Sequence, residues 1–486
     1  MRAHWINNEW TQGEATGTIP VENPATQEIL DEVPDGTEAD AHRAVEAAKA
    51  AFREWRKLSA VERAHMLHEV SRRAREHWDE LVELLTLEQG KPVPENEEEM
   101  EWTADTFDYY AELGRHIRGR VVPSGEPETQ LNMVLKEPYG VVAAIIPWNY
   151  PMLLMAWKVA AALAAGNTVV IKPSELTPLT TLLFVEKCMS HLPPGVVNVV
   201  TGYGQPVGEA LVKHPDVPVI AFTGSLATGQ RISTLAAPMI KRLHLELGGK
   251  DAFVVGPDID VESTAKALAY SALLNAGQVC TSSERVYVAG NVAGQFVEAL
   301  VEEVSRLRLG PGIEPTTDIG PMIGDAYRSK VERHVEDARQ KGARILIGGK
   351  RPAHLERGYF YEPTVLLDVN HDMLIMSEET FGPAIPLMVY DDFDQAIEWV
   401  NSSPYGLGAV LRTNDMRLAK KFYEEVRAGT IWINDPLTDN YAGPFGGMKL
   451  SGNARELGAE GLESFLETKH VHWDFSADPK DWWYPY

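Results

Sequence analysis

A chain of 486 residues exceeds the size at which one hydrophobic core keeps growing, so two or three domains are expected. With 44% hydrophobic and 24% charged residues the composition is that of a globular protein. A formal net charge of −25 argues against nucleic acid or an anionic membrane surface as partner, and it also repels an anionic dinucleotide at long range, so a site for one needs local donors. Two cysteines, Cys188 and Cys280, lie far apart without CxxC spacing, so neither a disulfide framework nor a metal cluster is indicated, and the cytosol is the expected compartment. The first ten residues carry Arg2, Asn7, Asn8 and Glu9 and no apolar run, unlike a secretory signal.

In chain order, residues 38–57 and 60–88 are rich in Ala, Glu, Arg and Leu with apolar residues at helical spacing, and Gly90-Lys91-Pro92 ends the second stretch. Both are expected as scaffold helices. Segment 119–137 alternates like a strand, and 467–473 does so near the C-terminus; an edge hairpin accounts for both. The most apolar stretch, 141–165, is broken by Pro147, Asn149, Pro151 and Lys158, so it predicts strand, loop and helix rather than a membrane span. Short β-branched runs at 141–146, 168–171, 196–201 and 217–222 alternate with helical segments such as 152–164, the pattern of a parallel, doubly wound sheet. A second alternation, through 285–289, 343–347, 384–390 and 430–434 with a helix over 292–307, predicts a second α/β domain. Cys188 falls in the helical pattern Leu182-Leu183-Phe184-Val185 and is expected in a core.

Several turns sit where such sheets bind ligands. Lys172, Ser174 and Glu175 follow one strand; the ordinary reading of Lys172 and Glu175 is a loop ion pair. Phe222-Thr223-Gly224-Ser225 joins a strand to a segment in which Ser225 is placed to cap a helix N-terminus, an arrangement that holds phosphate in some proteins and is a plain turn in others. Gly202, Gly204 and Gly208 miss the GxGxxG spacing by one position. Cys280 lies in Asn275-Ala276-Gly277-Gln278-Val279-Cys280-Thr281, small and polar company for a thiol. No histidine pairs convincingly with it, which counts against a cysteine protease.

Taken in order, Pro147-Trp148-Asn149-Tyr150-Pro151, Lys172-Pro173-Ser174-Glu175, Phe222-Thr223-Gly224-Ser225, Leu245-Glu246-Leu247-Gly248-Gly249-Lys250, the Cys280 run and Glu378-Glu379-Thr380-Phe381-Gly382-Pro383 resemble the aldehyde dehydrogenase superfamily over roughly residues 20–470. The resemblance implies an α/β fold: a Rossmann-like NAD-binding domain (1–118 and 141–250), a catalytic domain (251–449) and a small β oligomerisation arm with tail (119–140 and 450–486), hence a homodimer or homotetramer. It implies NAD as cofactor, NADP less so because a carboxylate at Glu175 repels a 2′-phosphate. Ile146, Pro147, Trp148, Lys172, Ser174, Glu175, Gly204, Phe222, Thr223, Gly224, Ser225, Leu247, Gly248, Glu379 and Phe381 would line the dinucleotide. No metal is implied.

By the same resemblance Cys280 is the nucleophile, Asn149 and the Cys280 N–H form the oxyanion hole, and Glu246 activates water against a thioester, with Gly248 and Gly249 leaving it room to move. A tunnel of Tyr150, Leu154, Trp157, Leu274, Val279, Thr281 and Asp439 would admit the aldehyde. Its aromatic rings, with Asp435 and Asp439, suit a cationic substrate such as betaine aldehyde or an aminoaldehyde; both aspartates also suit turns around Pro436. The alternatives are lactaldehyde or another small neutral aldehyde, a coenzyme A-acylating relative, which needs no hydrolytic base, and a non-catalytic homologue. Asp251 and Ala454 depart from the usual family pattern. The aromatic end, Asp481-Trp482-Trp483-Tyr484-Pro485-Tyr486, is expected to pack on a neighbouring subunit.

Overall fold

The computed structural model describes residues 2–484; the last two residues of the aromatic tail lie outside them. Two seven-stranded sheets and a small three-stranded sheet organise the chain. In the first sheet, Val141–Ile145, Thr168–Lys172, Val197–Val199, Val219–Gly224 and Arg242–Leu247 run parallel, and His4–Ile6 and Glu9–Thr11 extend it antiparallel. The β-branched runs form these strands because helices cover both faces, leaving almost every strand residue buried. Strand order reverses at Val141–Ile145, which lies between Val219–Gly224 and Thr168–Lys172, and that reversal opens a crevice at the carboxyl ends.

The helix Pro151–Ala165 leaves this crevice. Proline at its first position and Gly166 in the left-handed region (φ 98°) set its ends, and its apolar residues are buried on all sides. The second sheet stacks six parallel strands in the order Thr364–Leu367, Ala384–Tyr390, Ser283–Ala289, Asp251–Val255, Gly408–Arg412 and Thr430–Ile433, with Arg344–Ile347 antiparallel at one edge. The third sheet pairs Gln130–Pro138 with both Arg120–Val122 and Leu466–Asp474, so the two strand-like segments far apart in sequence meet.

One element differs from the expectation, and a second carried none. Segment 60–88 is two helices, Ala60–Glu76 and Trp78–Gln89, parted at His77. Acid-rich Val93–Gly114, which shows no clear apolar stripe, is a 22-residue helix packed on Pro151–Ala165. Cys188 is fully buried in a short helical turn. Among the described residues, no helix is long and apolar enough to cross a membrane.

Candidate active site

A cavity of about 660 Å³ runs along the carboxyl edge of the first sheet, where the strand order reverses. Every residue assigned above to the dinucleotide lines it. Ser225 caps the helix Leu226–Ala236, accepting the Thr228 N–H at 3.3 Å, so Gly224, Ser225, Ala227 and Thr228 present a helix N-terminus to the cavity. At the far end Lys172 Nζ lies 3.7 Å from Glu175 and donates to the Pro173 carbonyl at 3.0 Å. Gln205, Glu209, Arg231, Tyr327 and Lys330 also line this cavity and carried no sequence signal. Arg231 is already paired with Glu209 at 2.9 Å. At the near end Tyr327 accepts the Trp148 indole N–H at 3.1 Å, and Phe381 meets Trp148 edge to face.

A second cavity, about 170 Å³, meets the first at Asn149 and Cys280. All seven tunnel residues proposed from the resemblance line it, joined by Glu95, Glu98, Glu99 and Trp102 from the acid-rich helix and by Tyr270. Asp435 is absent from the lining. Burial pushes the Glu95 carboxyl up to about 8 and Asp439 up to about 7. Lys91, fully buried, pairs with Glu99, donates to the Asn149 carbonyl at 3.2 Å and sits 3.9 Å over the Tyr150 ring. One face of Tyr150 is thus occupied by a cation of the protein itself.

The loop carrying Cys280 is tightly specified. Asn275, Ala276 and Gly277 are successive residues with φ of 51°, 53° and 74°, a left-handed run that costs roughly 1 kcal/mol or more at each non-glycine position. Gln278 holds it, donating to the Asn275 carbonyl at 2.9 Å and accepting the Ile323 N–H at 2.9 Å. The Asn149 amide donates to the Gln278 carbonyl at 3.1 Å, which keeps it beside the Cys280 loop. Burial pushes the Cys280 thiol well above its ordinary value, and the charges of Asp251, Glu246, Asp439 and Glu379 add to this, so forming the thiolate needs a base.

Glu246 is the penultimate residue of the strand Arg242–Leu247 and sits beside the junction rather than in the lining of either cavity. The space at its carboxylate comes from Gly446, where a Cβ would stand 2.7 Å from Oε1. Gly248 and Gly249 serve other approaches: Cβ atoms there would lie 2.5 Å from Glu379 Oε1 and from the Cys280 carbonyl. Burial, and then the charge of Glu456, raise Glu246 well above the usual carboxylate range. Glu456 shows the opposite shift because Lys158 pairs with it; Lys158 also donates to Thr223 at 2.6 Å. Asp251, at the start of a buried strand, is likewise raised by burial above the usual carboxylate range.

The aldehyde dehydrogenase family model matches residues 10–471. The chain belongs to that family. It is 38% identical to a peroxisomal aminoaldehyde dehydrogenase of Pisum sativum over the whole of this chain and 98% of the other. Among solved structures it superposes on the betaine aldehyde dehydrogenase of Staphylococcus aureus in complex with NAD+ with a TM-score of 0.97 at 36% identity, covering 99% of this chain and 96% of that one. A lactaldehyde dehydrogenase matches with a TM-score of 0.95 at 37% identity, covering 97% and 99%. This protein is therefore an NAD(P)-dependent oxidoreductase of the aldehyde dehydrogenase fold, with relatives acting on aminoaldehydes, betaine aldehyde and lactaldehyde.

Proposed function

We propose that this aldehyde dehydrogenase oxidises a cationic aldehyde, betaine aldehyde or an aminoaldehyde, to its carboxylate using NAD. The observation that carries the reading is the position of Cys280 where a cavity built for a dinucleotide meets an acidic, aromatic tunnel. Glu95, Glu98 and Asp439 line the tunnel without a lysine or arginine in its lining, and Trp102 and Tyr270 add aromatic faces, so a substrate cation gains both Coulomb and cation–π attraction.

An aldehyde carbon releases its hydrogen as hydride only after a nucleophile has added to it. Glu246 takes the thiol proton, Cys280 Sγ adds to the carbonyl carbon, and the displaced π pair makes an oxyanion that Asn149 Nδ2 and the Cys280 N–H stabilise. NAD, when bound, supplies the hydride acceptor. Collapse of the oxyanion leaves a thioester on Cys280. Glu246, having passed the thiol proton to solvent, then removes a proton from water, which attacks the thioester carbon; the C–S bond breaks, Glu246 returns that proton to the departing thiolate, and the acid ionises to its carboxylate. A base with a raised pKa suits both proton transfers. In the large cavity Glu175, itself 3.7 Å from Lys172, repels a 2′-phosphate, while Arg231, another cation of the lining, is held by Glu209, which favours NAD. The exposed aromatic residues Trp473, Phe475, Trp482 and Trp483 support assembly of homo-oligomers through the third sheet and tail.

Turnover of betaine aldehyde, aminobutyraldehyde, lactaldehyde and propanal with NAD and with NADP, in wild type and Cys280→Ala, tests the reading. Cys280-dependent turnover fastest with a cationic aldehyde and NAD is expected. A preference for lactaldehyde or propanal would replace the substrate assignment with a small neutral aldehyde.

A further inference from the structure

Beneath the near end of the large cavity lies a buried ion pair to which neither the chemistry nor the tunnel assigns a part. Glu284, 3% exposed, is the second residue of the strand that leaves the Cys280 loop, and Lys250, 1% exposed, precedes the neighbouring strand. Lys250 Nζ donates to Glu284 at 2.6 Å. The same carboxylate accepts two successive backbone N–H groups, from Thr380 at 2.7 Å and from Phe381 at 2.6 Å. Lys250 also reaches the Thr380 hydroxyl at 3.2 Å, whose other neighbour is His334 Nδ1, likewise at 3.2 Å.

What these bonds hold is a strained turn. Phe381 has φ 57°, a left-handed backbone that a bulky residue adopts only when its surroundings impose it. The residue before Thr380 is Glu379, whose carboxylate lines the large cavity and accepts the Gly249 N–H at 3.2 Å. The residue after Phe381 is Gly382, whose carbonyl oxygen would stand 2.3 Å from a Cβ at Gly277, in the nucleophile's loop. The turn therefore touches the dinucleotide cavity on one side and the Cys280 loop on the other. Two charge-assisted bonds to adjacent N–H groups fix its direction, and Lys250 offsets the cost of burying the carboxylate that makes them.

We infer that Glu284, paired with Lys250, is the positioning residue that holds the Glu379–Phe381 turn in register with both the cofactor cavity and the Cys280 loop. The inference rests on the proposed cofactor role of Glu379. Glu284 also acts on Glu379 by charge. Burial, and next the Glu284 carboxylate, push Glu379 up to about 7, opposed by Lys330 from the helix Asp325–Gln340, by the Gly249 N–H and by Lys250.

Glu284→Gln keeps the shape but offers one acceptor oxygen where three donors converge, and turns an amide N–H toward another donor. Because it leaves Lys250 buried without its partner, the double variant Lys250→Met/Glu284→Gln is made alongside, with Glu379→Gln as reference. Each is checked for a native melting transition, and the dissociation constant for NAD is measured by calorimetry across pH 5–9. The rate at which a thiol reagent consumes Cys280 without cofactor is measured in parallel. The expected result is weakening of NAD binding by about tenfold in both Glu284 variants, comparable to Glu379→Gln, together with a changed Cys280 reaction rate. In Glu284→Gln the midpoint of the pH dependence of NAD binding moves to lower pH, since the charge that raised Glu379 is gone; a merely structural role would not move it. Folded Glu284 variants with wild-type NAD affinity and midpoint, while Glu379→Gln is weakened, would overturn the inference. Wild-type affinity in Glu379→Gln as well would show that the cofactor role of Glu379 has failed, and the inference falls with it.

Discussion

The two cavities that meet at Cys280 are built in different ways. The large one follows features of the backbone: strand ends, the first turn of the helix Leu226–Ala236, and glycines at 204, 208, 224 and 248. The small one is written in side chains contributed by separated segments, the acid-rich helix Val93–Gly114, the helix Pro151–Ala165, the Cys280 loop and the stretch around Asp439. A backbone-built site suits a cofactor common to a family, whereas a side-chain-built one can change its substrate by substitution without disturbing the sheet.

That contrast can be broken at its junction. Asn149 belongs to both cavities, and Asn149→Ala is expected to lower kcat by about 10²–10³-fold, the usual effect of removing one oxyanion donor, measured by steady-state NADH formation. A smaller loss limited to one cavity's ligand would argue that Asn149 is only a turn residue. Next in size is a single methyl in the backbone-built site. A Cβ at Gly224 would meet the Phe222 ring at 2.5 Å, so Gly224→Ala should raise KM for NAD about tenfold and leave KM for the aldehyde unchanged.

The smallest effect sharpens the other side. Asp439→Asn is expected to raise KM for cationic aldehydes by a few-fold, about 1 kcal/mol, and not for neutral ones. Because Asp439 and Glu95 are held near 7 and 8, they become carboxylates only as pH rises through those values. KM for a cationic aldehyde should therefore fall between pH 6 and 9 while that for propanal stays flat. An equal pH dependence for both would remove the acidic tunnel from the account.

The same contrast explains what the sequence could disclose. Strand-turn-helix segments such as Phe222-Thr223-Gly224-Ser225 combine period, turn residues and a cap within a few positions, so both the sheet and its ligand edge were readable. Glu95, Glu98 and Trp102 were not, because an acid-rich helix has the same local pattern whether it faces water or a tunnel. Lys91 looked like part of a helix-ending Gly-Lys-Pro, yet it neutralises Glu99 and covers Tyr150; only the packing of distant helices brings those groups together. The room beside Glu246 was sought in its neighbours Gly248 and Gly249, whereas Gly446, two hundred residues on, supplies it. Glu284 carried no motif at all, since its partners are backbone N–H groups nearly a hundred residues away.

Catalysis as proposed passes through a covalent thioester on Cys280 that Glu246 helps water to cleave. Mass spectrometry of the wild-type enzyme, rapidly quenched with acid during its first turnover of the preferred aldehyde with NAD, reads this out. An acyl adduct is expected, heavier than the free enzyme by the substrate acid less water, located on the peptide containing Cys280 and absent from Cys280→Ala. Undiminished turnover in Glu246→Gln, or turnover by the wild type with Cys280 never acylated, would contradict it.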